Sequence, residues 1–268
     1  MKFLFSEIAL FQAVFLRSII TVPPVLLLVW VTKVTLRNLA KQDIRLIWLR
    51  VGAEICTTVA FLTALKYMPL ANVTAILQAL PLAVTMAAAL FLSEPIGWRR
   101  WSAILVGFLG VLIVVRPGLD GFNVYSLSAL AAIIFITVRE IATRKLAQEV
   151  PTITVVLSTA IGSAVFAGIM MVGAEWHAVS TSSWLLLIGA AFAVLIATLL
   201  SVMAMRTGEI GFVSPFRYTS MIGAIGLGIL MFGEWPDQPT LAGTLIIVIT
   251  GIYTFHREQK ISRGVTAT

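Results

Sequence analysis

Apolar residues run along the chain in nine long blocks, roughly 8–31, 46–66, 71–93, 98–115, 123–143, 151–174, 182–205, 211–233 and 238–256. A helix needs roughly 20 mostly apolar residues to cross a hydrocarbon layer about 30 Å thick. Each block therefore predicts one membrane-spanning helix. Prolines or charges mark most of the joints: Pro69, Glu94-Pro95, Arg116-Pro117, Pro151 and Glu234-Trp235-Pro236. The first block starts too far in, and is too long, for a simple secretory signal.

Composition agrees with that pattern. Of 268 residues, 59% are hydrophobic and 12% charged, whereas soluble domains carry about 25% charge. The mean hydropathy is +1.01. A water-soluble protein of this size has no way to hide so much apolar surface. The net charge of +7 would ordinarily point to nucleic acid or an acidic surface. Here the basic residues sit in loops between apolar blocks, where they set orientation instead. Lys33, Arg37, Lys41, Arg45, Arg99, Arg100, Arg139, Arg144, Lys145, Arg206, Arg257, Lys260 and Arg263 fall on one side. Lys2, Lys66 and Arg116 fall on the other. Basic loops stay in the cytoplasm, so the C-terminus is expected inside and, with nine spans, the N-terminus outside. The single cysteine, Cys56, excludes an intrachain disulfide and reads as a lipid- or core-facing side chain.

Shifting the chain by 140 residues lays 57–111 on 197–251. Thr58/Thr198, Ala64/Ala204, Val73/Val213, Leu90/Leu230, Glu94/Glu234 and Leu105/Leu245 coincide. The pattern carries more than the identities. A basic residue (Lys66, Arg206) ends one span, and a short turn leads into a span rich in small residues. That span ends at a glutamate before Pro95 or Trp235-Pro236. The shift moves the second block onto the seventh, an odd displacement, so the two copies face opposite ways. Inverted repeats of this kind are common in secondary transporters. The expected architecture is all-α: a first repeat over 1–118, a second over 119–268, in one polytopic membrane domain. The second repeat has five helices and the first has four. Because only seven residues precede the first block, a ten-helix parent with its first helix missing is expected.

The run Phe61-Leu-Thr-Ala-Leu-Lys-Tyr-Met-Pro-Leu-Ala-Asn-Val-Thr-Ala-Ile-Leu-Gln-Ala-Leu-Pro81, then Ser93-Glu94-Pro95, Gly107-Phe-Leu-Gly-Val111 and Arg116-Pro117-Gly118, resembles the drug/metabolite transporter superfamily, of the EamA type. That resemblance implies ten helices in two inverted five-helix repeats. Leu10 to Arg17, Gly121 to Ser126, Val138 to Arg144 and Met205 to Thr219 look like the bacterial riboflavin-transporter branch. This narrower resemblance implies vitamin uptake through the inner membrane. In the family the first helix helps to wall the central cavity, so its absence is the departure from the pattern.

Ionisable groups inside spans are costly and are functional candidates by default. Arg17 lies roughly 13 Å into the first block at helical rise, and Pro23-Pro24 behind it should kink or break that helix. A cavity cation facing a polar or anionic substrate is the functional reading, and a snorkelling side chain the bland one. Arg50 and Glu54, spaced i, i+4, share a helix face. They read either as a structural ion pair or, at Glu54, as a proton-binding site that couples transport. Asn72 sits near the surface, whereas Gln78 is deep enough to read a ring edge or to bridge helices. In the matching span of the second half, Ser214, Pro215, Arg217, Tyr218 and Thr219 cluster. Prolines in both matching spans mark where transporter binding sites form. The substrate-binding set is therefore Arg17, Glu54, Gln78, Ser214, Arg217 and Tyr218. Arg139 and Glu140 read as a surface ion pair or positive-inside anchor. Glu94 and Glu234 read as caps on the helices that follow them. Gly223, Gly226 and Gly228 read as permitting close helix packing.

The chain carries no phosphate-binding loop, HExxH or nucleophile elbow. His177 and His256 lack metal-site spacing. The expectation is a non-enzymatic secondary carrier without cofactor or metal, with a small-molecule substrate and the lipid bilayer as partners. Nucleic acid is excluded as a partner, and a homodimer is compatible. Riboflavin uptake follows from the resemblance. Two alternatives stay open: an exporter of amino acids or related metabolites, and a nine-helix remnant or interaction subunit that transports nothing.

Overall fold

Every element follows from one constraint: hydrocarbon offers no hydrogen bonds, so a spanning backbone must satisfy itself within a helix. A computed structural model describes residues 4–5, 7–33, 39–92, 97–118, 123–207 and 219–265, with the side chains of 255–265 outside that set. The described elements are α1 (Leu10–Thr32), α2 (Lys41–Tyr67), α3 (Leu70–Leu77), α4 (Leu80–Phe91), α5 (Trp98–Val115), α6 (Ser126–Arg144), α7 (Thr152–Met170), α8 (Thr181–Thr207), α9 (Thr219–Phe232) and α10 (Gln238–Val265). Among the described residues there is no strand. Among the described residues, seven helices are long and apolar enough to cross a bilayer, with α3 and α4 counted as one span. Two shorter apolar helices, Ser220–Phe232 and Gln238–Thr254, accompany them. Leu27, Trp30, Phe91, Leu185, Leu200 and Leu230 project outward, as side chains solvated by lipid do.

One expectation about proline changes: the kink or break foreseen at Pro23-Pro24 is not a break. Pro23 and Pro24 do not end α1, which runs on to Thr32. They withhold N–H groups from the carbonyls one turn back, and membrane helices tolerate such gaps where neighbours compensate. The break comes instead at Gln78 and Ala79, between α3 and α4. There the Gln78 amide is shared between the Thr74 and Ala75 carbonyls, at 3.1 and 3.2 Å. Pro81, at the start of α4, has no N–H with which to resume the ladder.

The chain forms two compact units, Met1–Leu62 with Val138–Thr207, and Thr63–Thr137 with Gly208–Thr268. In the first, α1 packs on α7 and α8, and α7 on α8. One end of this unit is tied by polar contacts. Arg206 donates to the Ala147 and Gln148 carbonyls at 3.0 and 2.8 Å, and the Ala147 amide donates to Asp43 Oδ1 at 3.1 Å. Elsewhere in the unit, Gln12 and His177 exchange two hydrogen bonds, 2.7 and 3.2 Å. Glu7 accepts from the hydroxyls of Ser180 and Ser183 at the start of α8.

In the second unit, α5 packs along α10, and α3 along α9, α10 and α5. Glycine makes the α5–α10 contact possible. A Cβ on Gly110 would lie 2.8 Å from the Gly243 carbonyl oxygen, and one on Gly243 2.6 Å from that of Gly110. The close-packing role expected of Gly223, Gly226 and Gly228 belongs to these residues instead. No described atom comes within 4 Å of a Cβ built on Gly223 or Gly226, and Gly228 is in ordinary contact at 3.6 Å. Glu234 is a cap, but of another helix than expected: its Oε2 accepts from the Leu70 amide at 2.9 Å, at the start of α3. The cap of α10 is Asp237, whose Oδ1 accepts from the Thr240 amide at 3.1 Å. Glu94 lies outside the described residues.

Candidate functional site

The first unit holds a cluster of ionisable side chains deep within spanning helices. Glu54 is at the midpoint of α2, and Arg50 is one turn earlier on the same face. Arg17 projects from α1, Arg139 and Glu140 from α6, Thr159 from α7 and Ser201 from α8. Arg139 is the hub. It donates through Nη1 to Glu54 Oε2 at 2.6 Å and through Nη2 to Glu140 Oε1 at 2.7 Å. Ser201 Oγ donates to the same Glu140 oxygen at 3.2 Å. The Arg139 and Glu54 side chains are 16% and 13% exposed and Glu140 only 2%. The surface reading of Arg139 and Glu140 is therefore overturned.

Arg50 is 2% exposed and does not snorkel. Nor does it pair with Glu54, despite the i, i+4 spacing. Its Nε donates to Thr143 Oγ1 at 2.9 Å and its Nη1 to Thr159 Oγ1. Each hydroxyl passes its own proton back along its helix, Thr143 to the Arg139 carbonyl at 2.7 Å and Thr159 to that of Val155 at 2.8 Å. Threonine can serve both contacts because a hydroxyl is donor and acceptor at once. These contacts lock the rotamers of the hydroxyl groups that Arg50 uses.

Arg17 and Glu54 meet at a polar cavity of about 30 Å³, with Ser18, Thr21, Thr159 and Ser163 also lining it. That is room for a water or two. A larger apolar groove of about 570 Å³ lies along α2 and α7, lined by Trp48, Val51, Ile161 and Val165 among others. Much of its wall is exposed, and its lining carries no ionisable group. It lacks the polar contacts that orient a solute.

Of the sequence-derived candidates, the structure brings Arg17 and Glu54 together. Gln78 lies in the second unit at the α3/α4 break and is buried. Ser214, Arg217 and Tyr218 lie outside the described residues. Sequence reasoning missed Arg139, Glu140, Thr143 and Thr159. A signal for the first three was present: Arg139, Glu140 and Thr143 are i, i+1 and i+4 on α6, several residues inside the Arg144-Lys145 pair that marks the membrane edge. A stacked pair also went unnoticed in the second unit, Tyr67 on Tyr125 with ring centres 4.2 Å apart.

Spanning helices that bury a charge-bearing polar cluster define a multi-pass α-helical membrane protein of the solute-carrying kind. The chain matches the EamA-like transporter family over residues 1–116 and 124–255, and it belongs to that family, whose members are transporters and not enzymes. It is 30% identical over 217 residues to a riboflavin transporter of Vibrio cholerae, covering 80% of this chain and 72% of that one. It is 26% identical over 199 residues to an S-adenosylmethionine uptake transporter of Rickettsia conorii, covering 73% of this chain and 66% of that one. It is 26% identical over 216 residues to a pseudopaline exporter of Pseudomonas aeruginosa, covering 80% and 76%. A crystal structure 19% identical in sequence shares the fold, with a TM-score of 0.68 over 91% of this chain and 88% of that one.

Proposed function

We propose that the protein is a secondary transporter of the bacterial inner membrane that takes up riboflavin. The observation that carries a transport role is the Arg17–Glu54–Arg139–Glu140 cluster, buried where hydrocarbon penalises charge. Such groups persist inside a bilayer when they serve a solute or ion path. Riboflavin as the cargo is supported by the printed function of the Vibrio cholerae relative and of a second riboflavin transporter, from Brucella anthropi, 25% identical over 222 residues. An exporter relative at 26% identity makes outward movement of another metabolite the competing reading.

In this proposal the sequence halves, 1–118 and 119–268, are inverted repeats, the C-terminus is cytoplasmic, and alternating access moves one bundle against the other. Arg17, Glu54, Gln78, Ser214, Arg217 and Tyr218 are the residues proposed to bind the solute. The experiment is growth rescue. The chain is expressed in a bacterium that can neither make nor import riboflavin, with membrane insertion checked by immunoblot. Growth at low riboflavin is expected. No growth despite confirmed insertion, together with riboflavin efflux or none at all, removes riboflavin import as the function.

A further inference from the structure

The charge balance of the buried cluster is uneven. Among the described residues it holds three guanidinium groups, Arg17, Arg50 and Arg139, and two carboxylates, Glu54 and Glu140. Both carboxylates are hydrogen-bonded to Arg139. Arg50 donates through Nε and Nη1 to two threonine hydroxyls. That leaves Arg17, which is 9% exposed. Its guanidinium makes no hydrogen bond with any described residue; Glu54, across the same cavity, faces it with opposite charge but is hydrogen-bonded to Arg139 instead.

A buried guanidinium has five donors to satisfy, and donors left without acceptors are costly even where an opposite charge is near. The cavity it faces is lined by the hydroxyl-bearing Ser18, Thr21, Thr159, Ser163 and Thr198. Thr21 and Thr159 donate their own protons to backbone carbonyls, at 2.8 Å each. Ser18, Ser163 and Thr198 have hydroxyls to direct elsewhere. A guanidinium beside free hydroxyl donors is the chemistry of an anion site.

We infer that Arg17, with Ser163 and Thr198, binds a small anionic group in this cavity. At about 30 Å³ the space suits a halide ion or one carboxylate head better than the bulkier sulfate or phosphate. The anion supplies the negative charge that the cluster lacks. Two sources share this chemistry: a free small anion that accompanies the solute, and a carboxylate borne by the solute itself. The binding claim stands apart from the identity of the cargo. Only the choice between the two sources rests on the transport reading.

The test starts with the full chain purified in detergent, held in sodium methanesulfonate, which carries no carboxylate, at constant ionic strength. Its melting temperature is followed by tryptophan fluorescence while chloride, bromide or formate replaces methanesulfonate. At a hundredfold excess over the dissociation constant the melting temperature should rise by roughly 5 °C. Sulfate should have no such effect. Arg17→Gln should abolish the response, and Arg17→Lys should weaken it. If Arg17→Gln fails to fold, Ser163→Val gives the same reading, because it removes a hydroxyl and fills the cavity while Arg17 remains. An equal response in wild type and variants, or none in wild type to any small anion, overturns the site.

Proteoliposomes then separate the sources. If the anion is a free companion, uptake of neutral riboflavin stops when chloride is replaced by methanesulfonate. If it belongs to the solute, carboxylate-bearing metabolites displace chloride in the melting assay and lose that ability in Arg17→Gln. A failed riboflavin assay with an intact melting response refutes the cargo and leaves the site standing.

Discussion

Removing Arg139 should be the most damaging single change in the first unit. Arg139→Met keeps the length of the side chain and deletes the charge. Glu54 and Glu140 then lose their shared partner, and Ser201 remains as a neutral donor to Glu140. Breaking a buried ion pair by deleting one member costs about 3–5 kcal/mol, and here two carboxylates lose a charged hydrogen-bond donor at once, with Arg50 and Arg17 left near Glu54 but not hydrogen-bonded to it. The variant should therefore melt far below the wild type, or reach the membrane in reduced amount. The stronger test is a cycle. Glu54→Gln alone should cost less, because Arg139 keeps Glu140 and a glutamine oxygen can still accept. In the double variant one of the two carboxylates is gone, so it should recover part of the loss. The coupling energy between positions 54 and 139 should reach about 1–3 kcal/mol, measured as chemical or thermal unfolding of purified protein. Additive effects, within about 0.5 kcal/mol, would refute the hub reading and reduce Arg139 to one polar contact among several.

Four further outcomes are expected. Gly110→Leu or Gly243→Leu drives a side chain into the facing carbonyl and should destabilise by at least about 1–3 kcal/mol, whereas Gly223→Ala, with open space around it, should be neutral or stabilising by up to about 1 kcal/mol; unfolding of the three variants compares them. Glu234→Ala should cost about 1 kcal/mol by uncapping α3, and Glu234→Gln should cost less because the acceptor survives; equal losses in the same assay would remove the cap. At Asp237, burial works to raise the carboxyl, but hydrogen bonds from Arg116 and Thr240 prevail and hold it below its usual range. Its folded pKa is depressed, so its stabilising effect is present above the unfolded value near 3.8 and is lost as pH falls through the lower folded value; melting temperatures from pH 6 down to pH 2.5 should fall less steeply for Asp237→Asn. Glu7 is also held low, by the hydroxyls of Ser183 and Ser180, and Glu7→Gln should flatten the same acid limb.

Long apolar blocks were the strongest signal in the sequence, and the helices follow them closely: the predicted span 98–115 is α5 to the residue. That agreement has a simple cause. Hydrophobic length is set by the bilayer, a property of the solvent rather than of the fold. Proline was a poorer guide. Pro23-Pro24 read as a kink or a break, and α1 does not break there, because a span can tolerate lost backbone bonds where packing compensates. Glycine was poorer still. Gly223, Gly226 and Gly228 drew notice by their density, yet Gly110 and Gly243 carry the close approach. Which glycine faces a neighbouring helix depends on rotation about the helix axis, and an all-apolar helix gives little periodicity from which to read that rotation.

The same ambiguity explains the charges. Arg50 and Glu54 were correctly placed on one face, but the sequence had no means of choosing their partners. Spacing along a helix makes a local pair available, while the structure uses pairs 85, 93 and 109 residues apart. In water the local pair would be a reasonable guess, since distant partners are weakly attracted. In hydrocarbon every donor must find an acceptor, and the helices that supply acceptors are those packed alongside. Arg139 then turns from its membrane edge toward two carboxylates, and Arg50 takes hydroxyls from α6 and α7. Once those hydrogen bonds are made, Arg17 has the opposite charge of Glu54 across the cavity but no hydrogen bond to a described residue. The site's selectivity should therefore be governed by what can neutralise Arg17, a property that belongs to the assembled cluster and to no segment of the chain alone.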